Sequence, residues 1–305
     1  MAGKCWGFWA HKKINYYAVF CIPDPLFYFY KPYIDVISEL AVVPDKRRFN
    51  DPSEAPRHHI DLEYYFSIWK NGKLPRNEEE VKKMVPPDSI TTWGRLPWAV
   101  VETYNALVKA FEAREVKNII RLSAYLGHYV ADACVPLHTT YNYNGQYTGQ
   151  VGIHSLWESR VPELFGDNFD FLAGKATYIN DPISFIYDII IESHKMVDST
   201  LQIEAQITAE FGTQSKYTYE QRGKRSYRMV SKEFALEYLR RLNNAQEKRM
   251  KRAIQAIASL WFSAWIEAGK PILTPQHIEE WEDLISTTVK DTIKKAVDRA
   301  ILDFE

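Results

Sequence analysis

Cysteine is scarce in this sequence of 305 residues, and its scarcity limits the kinds of metal site that the chain can form. The three cysteines, Cys5, Cys21 and Cys134, form no CxxC pair. Any metal site must therefore use histidine and carboxylate side chains. The sequence allows a disulfide between Cys5 and Cys21 but does not establish it. Cys134 is expected to be a buried free thiol.

An excess of charge of either sign is also lacking. The 38 lysines and arginines nearly balance the 39 aspartates and glutamates, which gives a formal net charge of -1. This balance gives no global reason to expect binding to nucleic acid or to an anionic membrane, although a local basic cluster is compatible with it. Paired basic residues such as Arg240-Arg241 and Lys248-Arg249 fit the solvated face of a long amphipathic helix.

Long hydrophobic runs are missing as well. No run reaches 18 apolar residues, so no transmembrane segment is predicted. A signal peptide is not visible either, and residues 1–5 are interpreted as a remnant of a leader or an expression tag before the mature sequence. We expect a secreted or periplasmic protein whose export signal is not present in this chain.

Strand signals and fixed-period repeats do not stand out, which leaves helical periodicity as the main pattern. Apolar residues make up 46% of the chain, as in an ordinary folded protein. Helices are predicted from His11 to Phe20 and near residues 26–43, 95–112, 115–134, 182–211, 230–268 and 278–301. We predict an all-α fold, a single multi-helix domain over residues 1–305 with a metal cluster in a cleft between helices.

The most informative stretch begins with a histidine and a carboxylate four residues apart. His128 and Asp132 lie inside an apolar run, and on a helix both side chains project from one face. Pro136 cannot continue that helix, so the chain should turn there and bring His138 beside the helix end. Three side chains of ligand type would then converge.

A second pair, His154 and Glu158, repeats the four-residue spacing after a turn-rich link. Two such helices packed together would concentrate imidazole and carboxylate groups, which suit zinc better than calcium or magnesium. A single His/Asp pair is more often a hydrogen-bonded pair than a ligand pair. Several ionisable groups on apolar helix faces, however, carry a desolvation cost unless they pair or bind metal. The two pairs together favour metal binding.

A loop rich in Asp, Pro and Ser, at residues 43–61, supplies further polar candidates. Loops on a rigid scaffold are where binding residues concentrate. Taken alone, the basic run at 46–48 is typical of a solvated surface, and the histidine pair at 58–59 could equally be exposed. The importance of this loop depends on the residues of ligand type downstream.

Taken in order, these elements resemble those of the zinc-dependent phospholipases C and of the related single-strand-specific zinc nucleases of the S-one/P-one type. The resemblance covers residues 6–158, about half of the chain, and the remainder is similar only in being helical. It rests on WGFWAH at 6–11, on Asp45, on His58 followed by Ile60-Asp61, on HxxxDxxxPLH at 128–138 and on HxxxE at 154–158.

The resemblance implies up to three zinc ions in one cleft and assigns their ligands. The first ion would take Asp45, His58, His128 and Asp132, the second His138, His154 and Glu158, and the third Trp6, His11 and Asp132. The family's tryptophan binds through its terminal amine and carbonyl, so native residues before Trp6 would disturb the third site. His58 is preferred over His59 because the family's histidine stands three residues before an aspartate. Here that residue is Asp61, which would orient His58.

The implied reaction is hydrolysis of a phosphodiester by a metal-bridged hydroxide. By the same resemblance, Asp45 would orient or deprotonate the nucleophile as well as bind zinc. Arg48 would contact the phosphate, or Arg47 in its place if the loop is shifted.

Features of both branches of the superfamily are present. The Trp6 to His11 spacing, the Asp45/Arg48 spacing and Trp157 are similar to the nucleases, whereas Glu158, the short link from His138 to His154 and GIHSLWES are similar to the phospholipases. We favour a phospholipid head group as substrate, with peripheral contact to a membrane. Single-strand nuclease or 3'-nucleotidase activity is the alternative, and a non-catalytic zinc-binding protein is a further one. The sequence does not specify an oligomeric state.

Overall fold

The computed structural model describes residues 7–68, 74–223 and 225–278, and these residues form a helical architecture. The α-helices are α1 (Phe8–Val19), α2 (Leu26–Tyr30), α3 (Ile34–Leu40), α4 (Val43–Arg47), α5 (Leu62–Tyr65), α6 (Glu78–Lys82), α7 (Ser89–Trp93), α8 (Leu96–Glu112), α9 (Val116–Ala133), α10 (Ile153–Ser155), α11 (Val161–Phe165), α12 (Pro182–His194), α13 (Val197–Ser215), α14 (Lys232–Arg241) and α15 (Ala245–Glu267). Shorter 3₁₀-helices span Lys31–Tyr33, Ala55–His58, Phe66–Ile68, Pro136–His138 and Gly166–Asn168, and a π-helical turn spans Leu156–Arg160. An antiparallel hairpin pairs β1 (Tyr217–Arg222) with β2 (Arg225–Val230). The all-α prediction is confirmed.

The centre of the fold is the packing of α1, α8, α9 and α15 against one another. Trp261 of α15 lies within it, where its indole Nε1 donates to the carbonyl oxygen of Ser123 at 3.0 Å. The same ring stacks on Tyr30 with centroids 5.3 Å apart, and both rings are fully buried. Ser123 belongs to α9, the helix that carries two of the candidate ligands. These contacts therefore hold α9 against α15.

Arg249, which the sequence predicts on a solvated helix face, is instead buried and lies at the C-terminal end of α9. Arg249 donates from Nε to the carbonyl oxygen of Cys134 at 3.0 Å and from Nη2 to Ser193 Oγ of α12 at 2.6 Å. The last carbonyl groups of a helix have no hydrogen-bond partner within the helix. The guanidinium of Arg249 therefore provides a donor for the buried carbonyl oxygen of Cys134, which would otherwise have none from the helix. The arginine thereby fixes the point at which the chain turns toward His138.

Two segments that the sequence predicts as long continuous helices are each broken in two. The segment near 182–211 divides into α12 and α13, which are separated by Lys195 and Met196. The segment near 230–268 divides into α14 and α15 at Asn243 and Asn244, whose φ angles are 52° and 54°. Asparagine adopts this left-handed region more readily than most residues. Because the turn occupies only the few residues between Arg241 and Ala245, the apolar period within each helix is intact.

The hairpin is the element that periodicity did not predict. Tyr219 and Tyr227 are 73% and 42% exposed, and none of the strand side chains that the structure describes is fully buried. A strand that buries neither face has no alternation of apolar and polar residues, which explains why the signal was missing.

Two other expectations concern residues that the structure does not describe. The last predicted helix, near 278–301, and Cys5 lie outside them, so the Cys5–Cys21 pairing stays a prediction. Cys134 is a buried free thiol, as expected, and Cys21 is also buried and forms no disulfide with another described cysteine. Among the described helices, none combines the length and the apolar character needed to cross a bilayer.

Candidate metal centre

Helix α9 turns His128 and Asp132 toward α1. Both side chains are fully buried, and His128 Nε2 lies 3.2 Å from Asp132 Oδ2. Gly127 permits α1 to approach closely, because a Cβ at this position would lie 2.0 Å from Asn15 Oδ1. Asn15 in turn donates from Nδ2 to the carbonyl oxygen of His11 at 3.0 Å. The imidazole of His11 is thereby stacked on that of His128, with centroids 3.9 Å apart.

A first group of ligand-type residues, Asp45, His58 and His128, joins three separate elements. Asp45 lies in α4, His58 ends a 3₁₀-helix, and His128 belongs to α9. His58 Nδ1 lies 3.0 Å from His128 Nε2 and 2.9 Å from Asp132 Oδ2. Asp45 Oδ1 lies 3.9 Å from both of these imidazole nitrogens. The segment at 43–61 and helix α9 therefore contribute side chains to the same group.

A second group consists of His138, His154 and Glu158. Pro136 begins the 3₁₀-helix that ends at His138, as the sequence predicts. His154 lies in α10, and Glu158 lies in the π-helical turn that follows. His154 Nε2 is 3.0 Å and His138 Nε2 is 3.5 Å from Glu158 Oε2. Although the second pair is not on a regular α-helix, the four-residue spacing still brings the two side chains together.

A third group, His11, His128 and Asp132, shares two residues with the first ion's expected ligands. His11 Nε2 lies 3.4 Å from Asp132 Oδ1, and both side chains are fully buried. In each of the three groups the ligand-type atoms lie within 4.8 Å of one another. Trp6 lies outside the described residues, so its part in the third site stays a prediction.

Three histidines have their tautomer fixed by the backbone. Nδ1 donates to the carbonyl oxygen of Ala41 in His128, of His58 in His138 and of Tyr143 in His154, at 2.7, 2.5 and 3.0 Å. A carbonyl oxygen can only accept, so the proton is on Nδ1 and the lone pair on Nε2 faces the group. Backbone contacts of this kind orient the imidazole ligands of metal sites.

Unpartnered buried atoms provide a test of whether a metal fits these groups. Buried side-chain atoms without a hydrogen-bond partner occur at several places among the described residues, and six of them cluster at this centre: His11 Nε2, Asp132 Oδ1, His138 Nε2, His154 Nε2 and both Glu158 carboxylate oxygens. Burial without a partner is costly for polar atoms, and all of these belong to the three groups. A bound cation would satisfy them together, and a set of imidazoles and carboxylates without sulfur suits zinc.

Comparison with known families agrees with this donor set. The family model described as zinc dependent phospholipase C matches residues 11–262, most of the chain. The chain belongs to the zinc-dependent phospholipase C family. Zinc is therefore its cofactor, and the protein is a hydrolase of phospholipase C type. No curated protein matches the chain.

The electrostatics of the metal centre keep the carboxylate of Asp132 ionised. Burial raises the pKa of Asp132, but His128 and His138 outweigh it and hold that pKa well below its usual value. Burial lowers the pKa of His138, but Asp132 and Glu158 outweigh it and raise the pKa to about 9. The pKa of His11 is lowered by burial and by His128.

An open cleft of about 550 Å³ adjoins the metal centre. Its lining includes Arg48, His58, Asp61, His138, His154 and four tyrosines, Tyr64, Tyr141, Tyr143 and Tyr147. Tyr64 stacks on Trp93 with centroids 5.2 Å apart. Candidate ligands of both the first and the second group are thus reached from one solvent-accessible space, which also contains an arginine and aromatic rings.

The two arginines that the sequence left as alternatives face different surroundings. Arg48 lines the cleft, and its Nη1 lies 3.4 Å from Asp45 Oδ1. Arg47 instead donates from Nε to Glu54 Oε2 at 2.7 Å and from Nη2 to the Tyr129 hydroxyl at 3.1 Å. Of the two arginines, Arg48 is therefore the one that faces the cleft.

The two neighbouring histidines of the loop also differ in position. His58 belongs to the first group, whereas His59 Nε2 lies 3.4 Å from the carbonyl oxygen of Thr92. Burial lowers the pKa of His59 to about 4. Of the two, His58 is the one that lies among ligand-type residues, and its role as a ligand stays a prediction.

The structure differs from the expectation that Asp61 orients His58. The carboxylate beside His58 Nε2 is that of Glu54, at 3.3 Å. The chain is extended at His59, with φ −146° and ψ 169°, and the Asp61 N–H donates to the carbonyl oxygen of Trp93 at 2.7 Å. These contacts turn Asp61 toward the cleft, where burial raises its pKa to about 7. Glu54 was missed, although it stands four residues before His58, the spacing that marked the other pairs.

Proposed function

We propose that this protein is a zinc-dependent phosphodiesterase that hydrolyses phospholipids at the head group. The observation that carries this proposal is that the three buried ligand groups adjoin an open cleft containing Arg48. Structural zinc sites are usually isolated, closed and rich in cysteine. A cleft lined by His58, His138 and His154 supports a catalytic role over a purely structural one.

We propose the same ligand sets that the resemblance implied. They are Asp45, His58, His128 and Asp132 for the first ion, His138, His154 and Glu158 for the second, and Trp6, His11 and Asp132 for the third. When bound, zinc supplies a Lewis acid and an activated water near neutral pH. The groups' nearly complete burial supports this assignment, because buried imidazoles and carboxylates carry a desolvation cost that a bound cation offsets.

Two side chains of the loop have proposed roles toward the substrate. Arg48 presents a guanidinium to the cleft, where it would bind a phosphate oxygen and counter the charge that develops there. Asp45 Oδ1 lies beside this guanidinium and among the first-group imidazoles, and the pKa of Asp45, although raised by burial, is lowered by His128, His11 and His58. An ionised Asp45 can therefore orient Arg48 and accept a hydrogen bond from the attacking water.

A second candidate function is single-strand nuclease or 3'-nucleotidase activity. The observation that favours it is the exposed Tyr64 ring, which stacks on Trp93 at an interplanar angle of 17° and lines the cleft. Flat exposed aromatic rings are platforms on which nucleobases stack. The family membership supports phospholipid as the first choice.

The proposed substrate also suggests how the protein is placed. Phe49, which follows Arg48, is 77% exposed, and Tyr147 of the cleft is 69% exposed. Aromatic side chains of this kind suit peripheral contact with a membrane surface. We propose that the protein is secreted or periplasmic, and that residues 1–305 form a single domain. The contacts of α15 with α1, α8 and α9 support the single domain.

The test combines metal analysis and two substrates on one preparation. Zinc content is measured by elemental analysis, and hydrolysis of phosphatidylcholine vesicles and of single-stranded DNA is measured with and without a chelator. We expect two to three zinc ions per chain and faster hydrolysis of phosphatidylcholine, lost with chelator and restored by zinc. The variant Arg48→Ala is the matched control, because it should lose activity while keeping zinc.

The other outcomes identify which part of the proposal is wrong. Preference for single-stranded DNA would select the nuclease. Bound zinc without hydrolysis of either substrate, or of a generic chromogenic phosphodiester, would indicate a non-catalytic zinc protein. Failure to bind zinc after refolding with added zinc would contradict the ligand assignment itself.

A further inference from the structure

Glu54 is a buried carboxylate that touches the metal centre from outside. It precedes the 3₁₀-helix that ends at His58, and only 3% of the residue is exposed. Its Oε1 lies 3.3 Å from His58 Nε2. The proposed reaction assigns no role to Glu54. Its position beside His58 therefore needs a separate explanation.

The contacts of His58 show which of its nitrogens faces the other ligands. Nδ1 lies 2.9 Å from Asp132 Oδ2 and 3.0 Å from His128 Nε2. Nε2 points the other way, toward Glu54. In His128, His138 and His154 the arrangement is reversed, because Nδ1 contacts the backbone and Nε2 faces the ligand group.

Glu54 is itself held by a network of fixed donors. Arg47 Nε donates to Glu54 Oε2 at 2.7 Å, and the Tyr129 hydroxyl donates to Glu54 Oε1. Arg57 Nε donates to the same hydroxyl at 3.1 Å, and its guanidinium lies over the Tyr129 ring, 5.0 Å from the centroid. Tyr129 follows His128 on α9, so the network fixes Glu54 relative to the helix that carries the ligands.

We infer that Glu54 is the positioning residue for His58, selecting the Nε2–H tautomer so that Nδ1 is the atom that binds zinc. A carboxylate that accepts the outer N–H of a ligand imidazole fixes the ring and increases its basicity. The inference rests on the proposed ligand set, since it takes His58 as a zinc ligand. It assigns to a side-chain carboxylate the task that backbone carbonyl groups perform for His128, His138 and His154.

The alternative is that Glu54 serves only to neutralise Arg47. The variant Glu54→Gln distinguishes the two roles because the amide keeps the size of the side chain. Its single oxygen cannot accept from both Arg47 Nε and His58 Nε2, and its NH₂ group would face one of these donors. Glu102→Gln is the matched control. Glu102 accepts from Arg57 Nη1 at 3.0 Å on the exposed side of the same network and contacts no histidine in the part of the chain described.

The first measurement is zinc affinity by competition with a chromogenic chelator. We expect Glu54→Gln to weaken the binding of one zinc ion by roughly 10-fold to 100-fold, the range for outer-shell partners. Glu102→Gln should bind zinc like the wild type. Equal weakening in both variants, or none in Glu54→Gln, would overturn the inference. Thermal unfolding of the metal-free proteins shows whether a general loss of stability accounts for the change.

The second measurement does not depend on any Glu54 variant folding. Long-range ¹H–¹⁵N NMR of the zinc-loaded wild type, labelled at histidine, reports which ring nitrogen carries the proton. We expect the His58 signals, identified by their loss in His58→Ala, to show Nε2–H. The signals of His128, His138 and His154 should show Nδ1–H. An Nδ1–H tautomer at His58 would refute the inference. Retention of all zinc in His58→Ala would instead contradict the ligand set.

Discussion

The first and second groups contain the same kinds of ligand but are assembled in different ways. His138, His154 and Glu158 come from one short stretch of chain, and their two histidines are oriented by backbone carbonyl groups. The first group combines Asp45 and His58 from a loop with His128 from a distant helix, and His58 faces a side-chain carboxylate. Local spacing is therefore enough to build one group, whereas the other depends on tertiary packing.

The two groups are also joined directly. His138 Nδ1 donates to the carbonyl oxygen of His58, and the Ile60 N–H donates to the carbonyl oxygen of His138 at 2.9 Å. The loop that supplies the first group is thus hydrogen-bonded to the turn that supplies the second. Substitutions can show how far each group still binds zinc when the other is lost.

The largest effect is expected from His128→Ala, because His128 belongs to both the first and the third group. We expect these groups to lose zinc and hydrolysis to fall by more than about 100-fold, beyond the range for outer-shell partners. Helical content by circular dichroism should be largely unchanged. His194→Ala is the control, since His194 Nδ1 donates to the carbonyl oxygen of Thr139 outside the groups. Wild-type turnover by a zinc-poor His128→Ala protein would contradict the assignment.

A narrower effect is expected from Glu158→Gln, which alters the second group alone. The amide keeps the volume but provides a weaker ligand than a carboxylate, so elemental analysis should find one zinc ion fewer per chain. Glu163→Gln, at an exposed position on the next helix, should retain the full content. If Glu158→Gln loses all of its zinc, the first and second groups do not bind zinc independently of each other. The difference between them would then be one of structure and not of zinc binding.

Arg48→Ala tests the cleft without altering either group. Removing one charged hydrogen bond to the phosphate should lower kcat/KM by roughly 10-fold to 100-fold. Zinc content should be unchanged. Arg47→Ala should instead lower the unfolding temperature, because the buried Glu54 loses a partner. Loss of zinc from Arg48→Ala would show that the loop is held differently.

The smallest effect is expected from Asp61→Asn. Burial raises the pKa of Asp61 to about 7 from its usual value near 3.8. The folded state therefore binds an extra proton between these values, and stability falls as the pH rises from about 4 to about 7. Asparagine removes this fall, so the metal-free variant should be more stable than wild type at pH 7 by on the order of 1 kcal/mol. Urea unfolding of both proteins at pH 4 and pH 7 measures the difference; an equal difference at both would contradict the shift.

Much of the fold followed from local pattern. Helices α8 and α9 begin and end within a residue or two of the predicted bounds, because their apolar period is regular and Pro136 limits the second of them. The break at Asn243 and Asn244 leaves the period undisturbed, and the hairpin buries neither face. Neither feature leaves a signal in the distribution of apolar residues.

The candidate site divides along similar lines. The four-residue spacing predicted that His128 would meet Asp132 and that His154 would meet Glu158, and these contacts are present. The same spacing also links Glu54 to His58. The spacing between Glu54 and His58 was not recognised as a helical contact. A short 3₁₀-helix within a loop has no apolar period that would indicate helical structure there.

The sequence by itself determined the chemistry of the centre. Its histidines and carboxylates, with no cysteine motif, favour zinc, since residue type fixes which donor atoms are available. The order and spacing of its motifs carry the resemblance to the family. The tertiary structure decided what spacing could not. It showed which nitrogen of each histidine faces its group, that Arg48 and not Arg47 lines the cleft, and that Glu54 and not Asp61 lies beside His58. These outcomes depend on partners from distant parts of the chain, such as Ala41 for His128, and only packing brings such partners together.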